Sequence, residues 1–248
     1  AEINSTNFGL QFNAKITGSA TLGSKGHVDF IGLNVYYDLS SGWNTTTKTI
    51  EFRTKPERLS SYATQSLWSL ISGSSTSLNL KIENYTGTDY VNNDLYGRLL
   101  LEDSGSNVLG SSSYYPIFDG EFYNISIRDE SSSPTYNLNI SSYKSIDANN
   151  YPHTQSFTSN LTGSFSASYL DTWLSGSSEE YLGRFENGGY SGSFQEYRSY
   201  TELLTDATLE KHSLSPFMYG GNTVSSSYDG LIARYPLGSD VKNSIVPL

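Results

Sequence analysis

Tyr123-Asn124-Ile125-Ser126-Ile127-Arg128 sets an aromatic or apolar side chain at every second position and a polar one between. A period of two belongs to a β-strand, whose successive side chains point to opposite faces. Asp119-Gly120 stands just upstream and is a good tight-turn pair for feeding such a strand. The same alternation recurs on both sides. Ile50 and Phe52 alternate with Glu51 and Arg53, and Leu78, Leu80 and Ile82 with Asn79, Lys81 and Glu83. Tyr136, Leu138 and Ile140 alternate with Asn137, Asn139 and Ser141, and Phe165, Ala167 and Tyr169 with Ser164, Ser166 and Ser168. Each run is expected to place one face on a core and the other in water, as antiparallel sheets do.

Turn-forming clusters separate the runs: Ser72-Gly73-Ser74-Ser75, Asp103-Ser104-Gly105-Ser106-Asn107 and Glu186-Asn187-Gly188-Gly189. Short strands at regular spacing with such turns read as an all-β sandwich or barrel, of which a two-sheet antiparallel sandwich is expected. Between Phe194 and Tyr197 the inward parity slips by one residue, which predicts a β-bulge. One helix is expected, Asp206 to His212, with Thr205 as N-cap and Lys211 and His212 favouring its last turn. From Pro216 the chain turns loop-like, with a short strand-like piece, Gly230 to Tyr235. The expected division is therefore a sandwich over 1–215 and a linker or the start of a further module over 216–248.

The chain has 248 residues, enough to bury a substantial core. With no cysteine, disulfides and thiolate metal sites are excluded. A formal net charge of -10 and the lack of any basic run argue against nucleic acid, where counterion release needs clustered Lys and Arg. They also argue against an anionic membrane surface. No stretch has the length and apolarity of a membrane-spanning helix, and no leader pattern opens the chain. Because it starts at Ala1 rather than Met, it reads as a processed or excised piece of a longer protein.

Three stretches resemble the concanavalin A-like, laminin G-like jelly-roll family. Lys48-Thr49-Ile50-Glu51-Phe52-Arg53-Thr54-Lys55-Pro56 resembles the family's early strand. Phe118-Asp119-Gly120-Glu121-Phe122-Tyr123 resembles its Asp-Gly turn, with Phe122 and Tyr123 where Trp-His usually stands. Tyr190-Ser191-Gly192-Ser193-Phe194-Gln195-Glu196-Tyr197-Arg198 resembles its late strand, followed by the short helix. The tail from Leu214-Ser215-Pro216 to Ser227-Tyr228-Asp229-Gly230-Leu231-Ile232-Ala233-Arg234-Tyr235 looks like segments of large structural proteins of marine tailed phages. That resemblance implies a virion component of a tail, fibre or baseplate. It would work through self-association, other virion proteins and cell-surface glycan. Its place would be the extracellular particle, or else a secreted or cell-surface setting.

No catalytic constellation stands out, and the chain is not expected to be an enzyme. A glycoside hydrolase on this fold would carry Glu-x-Asp-x-x-Glu on one strand, putting its acids on one cleft face. Glu179-Glu180 and Asp129-Glu130 are adjacent and would point to opposite faces. The three histidines, His27, His153 and His212, adjoin no nucleophile elbow. A polysaccharide hydrolase is therefore the weakest alternative. No cofactor is expected except calcium, which many members of the family hold at a rim. The oxygens of Asp89 and Asp94 in the loop between them are the candidates. The positive case is aromatic. Trp43, Tyr90, Tyr114 and Tyr115 lie in polar loop segments rather than alternating strands. A flat ring beside Asp or Asn offers a sugar both stacking and fixed hydrogen bonds. These rings are the candidate ligand site, the alternative being that they cap the ends of the core. A free carbohydrate-binding lectin is the corresponding alternative function.

Overall fold

Alternation of this kind can bury its apolar face only if a second sheet closes over the first. The computed structural model has that arrangement. It describes residues 33–35, 48–60, 63–72, 76–130, 137–144, 154–160, 178–183, 190–223 and 230–237. The chain divides into two compact units, Ala1–Ile31 and Gly32–Leu248, and every described residue belongs to the second.

In chain order the strands are β1 (Leu33–Val35), β2 (Thr49–Pro56), β3 (Thr64–Ser72), β4 (Thr76–Asn84), β5 (Gly97–Asp103) and β6 (Val108–Ser111). They continue with β7 (Tyr123–Asp129), β8 (Asn137–Lys144), β9 (Thr154–Asn160), β10 (Ser178–Leu182), β11 (Gly192–Tyr200) and β12 (Leu231–Tyr235). The single α-helix among the described residues, α1, is Asp206–Leu214. One six-stranded sheet has the order β1-β10-β3-β4-β5-β6 and the other β12-β11-β2-β7-β8-β9. All the pairings are antiparallel, as in a jelly-roll sandwich.

The inward residues are those the period of two selects, except in β3, where the register with β4 shifts between Ser66 and Trp68 and the adjacent Leu67 and Trp68 are both buried. Phe52, Ile125, Ile127, Leu138 and Ile140 from one sheet meet Leu67, Trp68, Leu70, Leu78, Leu80 and Ile82 from the other. Asp119 turns the chain into β7 by accepting the Glu121 N–H at 3.0 Å, with Gly120 at φ 83. The Asp103 carboxylate closes the β5–β6 turn by accepting the N–H groups of Gly105 and Asn107. The expected bulge is present. The β11–β2 register shifts between Gln195 and Arg198, and Glu196 adopts a left-handed φ of 52. At the start of β11, Gly192 has φ 140, and a Cβ there would lie 2.2 Å from the Lys55 carbonyl oxygen.

The expectation of a watery outer face fails on the second sheet. Thr49 and Glu51 of β2 and Asn124, Ser126 and Arg128 of β7 point away from the core yet are buried. The cause is α1, which packs on β7 and β8. Its Leu209 joins Tyr143, Tyr200 and Leu204 in a second, small apolar cluster. The helix runs to Leu214 rather than His212, and the Thr205 hydroxyl caps it by accepting the Thr208 N–H at 3.3 Å.

The expected boundary at residue 215 is also corrected. Leu231–Tyr235 is no linker but the edge strand of the second sheet, with Arg198 opposite Arg234. The Thr201 N–H donates to the Gly230 carbonyl at 2.8 Å and the Glu196 N–H to Pro236 at 3.1 Å, so the sandwich runs on through this segment. The Phe165–Tyr169 run and the Glu186–Gly189 cluster lie outside the described residues.

Candidate functional site

The loop joining β4 to β5 is rich in tyrosine and is held rigidly. Arg58 donates to the carbonyl of Tyr85 at 3.0 Å and to that of Asn93 at 3.1 Å, tying the two ends of the loop together. Asn92 turns the chain at φ 65 into a 3-10 turn, Asn93–Leu95. The Asn93 side-chain carbonyl accepts the Tyr90 N–H at 3.0 Å. The Tyr85 hydroxyl donates to Asp89 Oδ2 at 2.6 Å.

Four rings gather on this frame. Tyr90 stacks on Tyr96 with centroids 4.0 Å apart and planes 3° from parallel. Tyr85 makes edge contacts with Tyr90 and with Tyr114, each at 4.8 Å. The Tyr114 hydroxyl donates to Glu83 Oε2 at 3.0 Å, and the Arg98 guanidinium, itself paired with Glu83, lies 4.9 Å from the Tyr114 ring centre. Burial, then the Glu83 hydrogen bond, push the Tyr114 hydroxyl up; the Asp89 hydrogen bond pushes that of Tyr85 up. Both phenols therefore remain donors at neutral pH. Tyr90 is 36% exposed although it stacks on Tyr96.

Of the four aromatic candidates read from sequence, the structure brings Tyr90 and Tyr114 together through Tyr85. Tyr115 is elsewhere. It is 5% exposed, sits in the core, and donates its hydroxyl to Ser142 at 3.0 Å. Adjacent residues in extended chain face opposite ways, which separates it from Tyr114. Trp43 lies outside the described residues. Tyr85 and Tyr96, which directly abut β4 and β5, were not among the sequence candidates. The density of tyrosine between residues 85 and 96 was the available signal.

The two calcium candidates each have a partner within the loop region. Asp89 is engaged by the Tyr85 hydroxyl, while Asp94 faces Arg58 at 3.5 Å. Among the described residues no group of three or more His, Cys, Asp or Glu gathers as metal ligands.

A second cluster lies beneath α1. Arg198 donates to Glu51 at 2.7 Å and to Glu196 at 2.9 Å, and all three side chains are wholly enclosed. Arg234 donates to both oxygens of Glu196 at 2.9 Å. Glu51 also accepts from Tyr200 at 3.1 Å and contacts His212 Nδ1 at 2.9 Å. The chain after the helix is fastened here too. Pro216 accepts from Arg198, Gly220 lies 2.9 Å from His212 Nε2, and Tyr219 accepts from Tyr200. Burial alone would push the Glu51 carboxyl up. The hydrogen bond and charge of His212, with Arg198, override it and hold the carboxyl at about 2. Enclosed and paired with Arg198, Arg234 and His212, these acids act as ionic cement between the strands and the helix.

Fold and site together define a class: an all-β, two-sheet antiparallel jelly-roll sandwich carrying a braced tyrosine cluster at one rim. No family model matches the chain, and no curated protein sequence matches it. Among solved structures similar to it is the CBM40 of the Ruminococcus gnavus IT-sialidase, bound to α2,3-sialyllactose. The two share 16% identity over 73% of this chain and 96% of that one, with a TM-score of 0.40.

Proposed function

We propose that this sandwich is a non-catalytic recognition module that binds carbohydrate at the rim formed by Tyr85, Tyr90, Tyr96 and Tyr114. One observation carries the reading: Tyr90 is exposed yet held flat against Tyr96, beside Asp89, Asn93 and Asp94. A pre-ordered ring loses little conformational freedom when a sugar face stacks on it, and neighbouring carboxylates and amides can fix the hydroxyls. Aromatic contacts of this kind contribute about 1.5 kcal/mol at most beyond area burial, and about 1.4 kcal/mol is tenfold in affinity. Tyr90→Ala should therefore weaken binding on a glycan array, followed by titration of the best ligand, about tenfold. Silence of the unaltered protein across the array, or an unchanged affinity in Tyr90→Ala, would overturn the reading.

A self-associating virion component is the second reading, and one observation favours it. Leu214, Phe217 and Met218, at the end of α1 and in the turn beyond, are 45%, 52% and 49% exposed. Large apolar side chains grouped in this way mark protein contacts more often than scattered ones do.

A further inference from the structure

The charges around the tyrosine rim are unevenly engaged. Each of its two described cations, Arg58 and Arg98, is paired with a carboxylate. Arg58 gives Nη1 to the Asn93 carbonyl and Nη2 to that of Tyr85, and it faces Asp94 at 3.5 Å. Arg98 gives Nε to Glu83 and lies over the Tyr114 ring. The carboxylates are more open. The Asp94 side chain is 92% exposed, and Asp89 is exposed with Oδ2 bonded to Tyr85. Glu83, Asp89 and Asp94 outnumber the two guanidiniums, within a chain of formal net charge -10.

These observations bear on which sugars the rim accepts. A carboxylate, sulfate or phosphate on a sugar stacked at Tyr90 would approach Asp89 and Asp94, while the Arg58 and Arg98 charges are each already paired with a carboxylate. Like charges brought together repel, and the approach also strips water from both. A neutral sugar meets the same oxygens as a donor, and hydroxyl-to-carboxylate hydrogen bonds are stronger than neutral ones. We infer that the rim selects neutral, hydroxyl-rich saccharides and rejects acidic ones, with Asp89 and Asp94 as the discriminating residues. This inference rests on the carbohydrate reading above.

Matched pairs test it: lactose against 3′-sialyllactose, and methyl-esterified against free polygalacturonate, each titrated into the full chain. The neutral member of each pair should bind at least about tenfold more tightly near 0.05 M salt, and the gap should narrow near 0.5 M salt, where exposed charges are screened. In an Asp89→Asn/Asp94→Asn double variant the gap should shrink at low salt as well. Asp94→Asn alone, at a position nearly free of packing, serves if the double variant does not fold by circular dichroism. Equal or tighter binding of the acidic members would overturn the inference, as would a gap unchanged in the folded variant. If no member of either pair binds and the glycan array is silent, the carbohydrate reading itself fails, and this inference with it.

Discussion

Glu51 is a wholly enclosed carboxylate, and its ionised form is held by the side chains that bond it. Its carboxyl is held at about 2, against an ordinary 4.5, by His212 and Arg198 working against burial. A group whose folded value is depressed stabilises the fold above its unfolded value and ceases to do so as pH falls through the folded one. The contribution of Glu51 should therefore be complete above pH 4.5 and fade between 4.5 and 2. Its size is on the order of 3 kcal/mol, at about 1.4 kcal/mol per pH unit. Guanidinium titrations at a series of pH values should show that loss. Glu51→Gln should be less stable at neutral pH by about 3–5 kcal/mol, because Arg198 is left enclosed without its partner. The same variant should show a shallower acid limb. An equally steep limb in Glu51→Gln would place the acid sensitivity elsewhere.

At the scale of elements, the strands were legible and their covering was not. A period of two picks out Leu78, Leu80 and Ile82 of β4 and Ile125 and Ile127 of β7 from local sequence alone, because pleating repeats every two residues. It is silent on what lies over Glu51 or Ser126, since the covering helix arrives from far along the chain. Glu51 and His212 are 161 residues apart. The bulge was legible from the parity slip between Phe194 and Tyr197, but its purpose was not. It turns Glu196 toward Arg198 and Arg234. The rim was legible in part. Tyr90 and Tyr114 stood out against polar loops, whereas Tyr115 was assigned to the site because unpatterned sequence gives no facing. α1 depends on a local signal that was read correctly, the Thr205 cap. Thr205→Ala should cost about 1 kcal/mol in chemical denaturation, the usual worth of such a cap. An unchanged midpoint would show that packing of Leu209 and His212, rather than the cap, sets the helix start.

For the whole molecule, the open question is whether the sandwich works alone or among copies. The half-exposed Leu214, Phe217 and Met218 sit well away in sequence from the tyrosine loop, so the two readings can be separated by experiment. If that surface mediates assembly, sedimentation should show oligomers that grow with concentration, and Phe217→Ser with Met218→Ser should return the protein to monomer without changing sugar binding. A monomer at every concentration would count against assembly through this surface. The placement of β12 has a mechanical consequence. It is an edge strand hydrogen-bonded to β11, and Arg234 is its penultimate residue. Tension entering the fold from the C-terminal side of Tyr235 would thus load the Arg234–Glu196 clasp before it reached most of the β12 ladder. Through Glu196 the pull would pass to Arg198 and then to Glu51 on β2. Force from that direction would be spread across three strands rather than peeling one away.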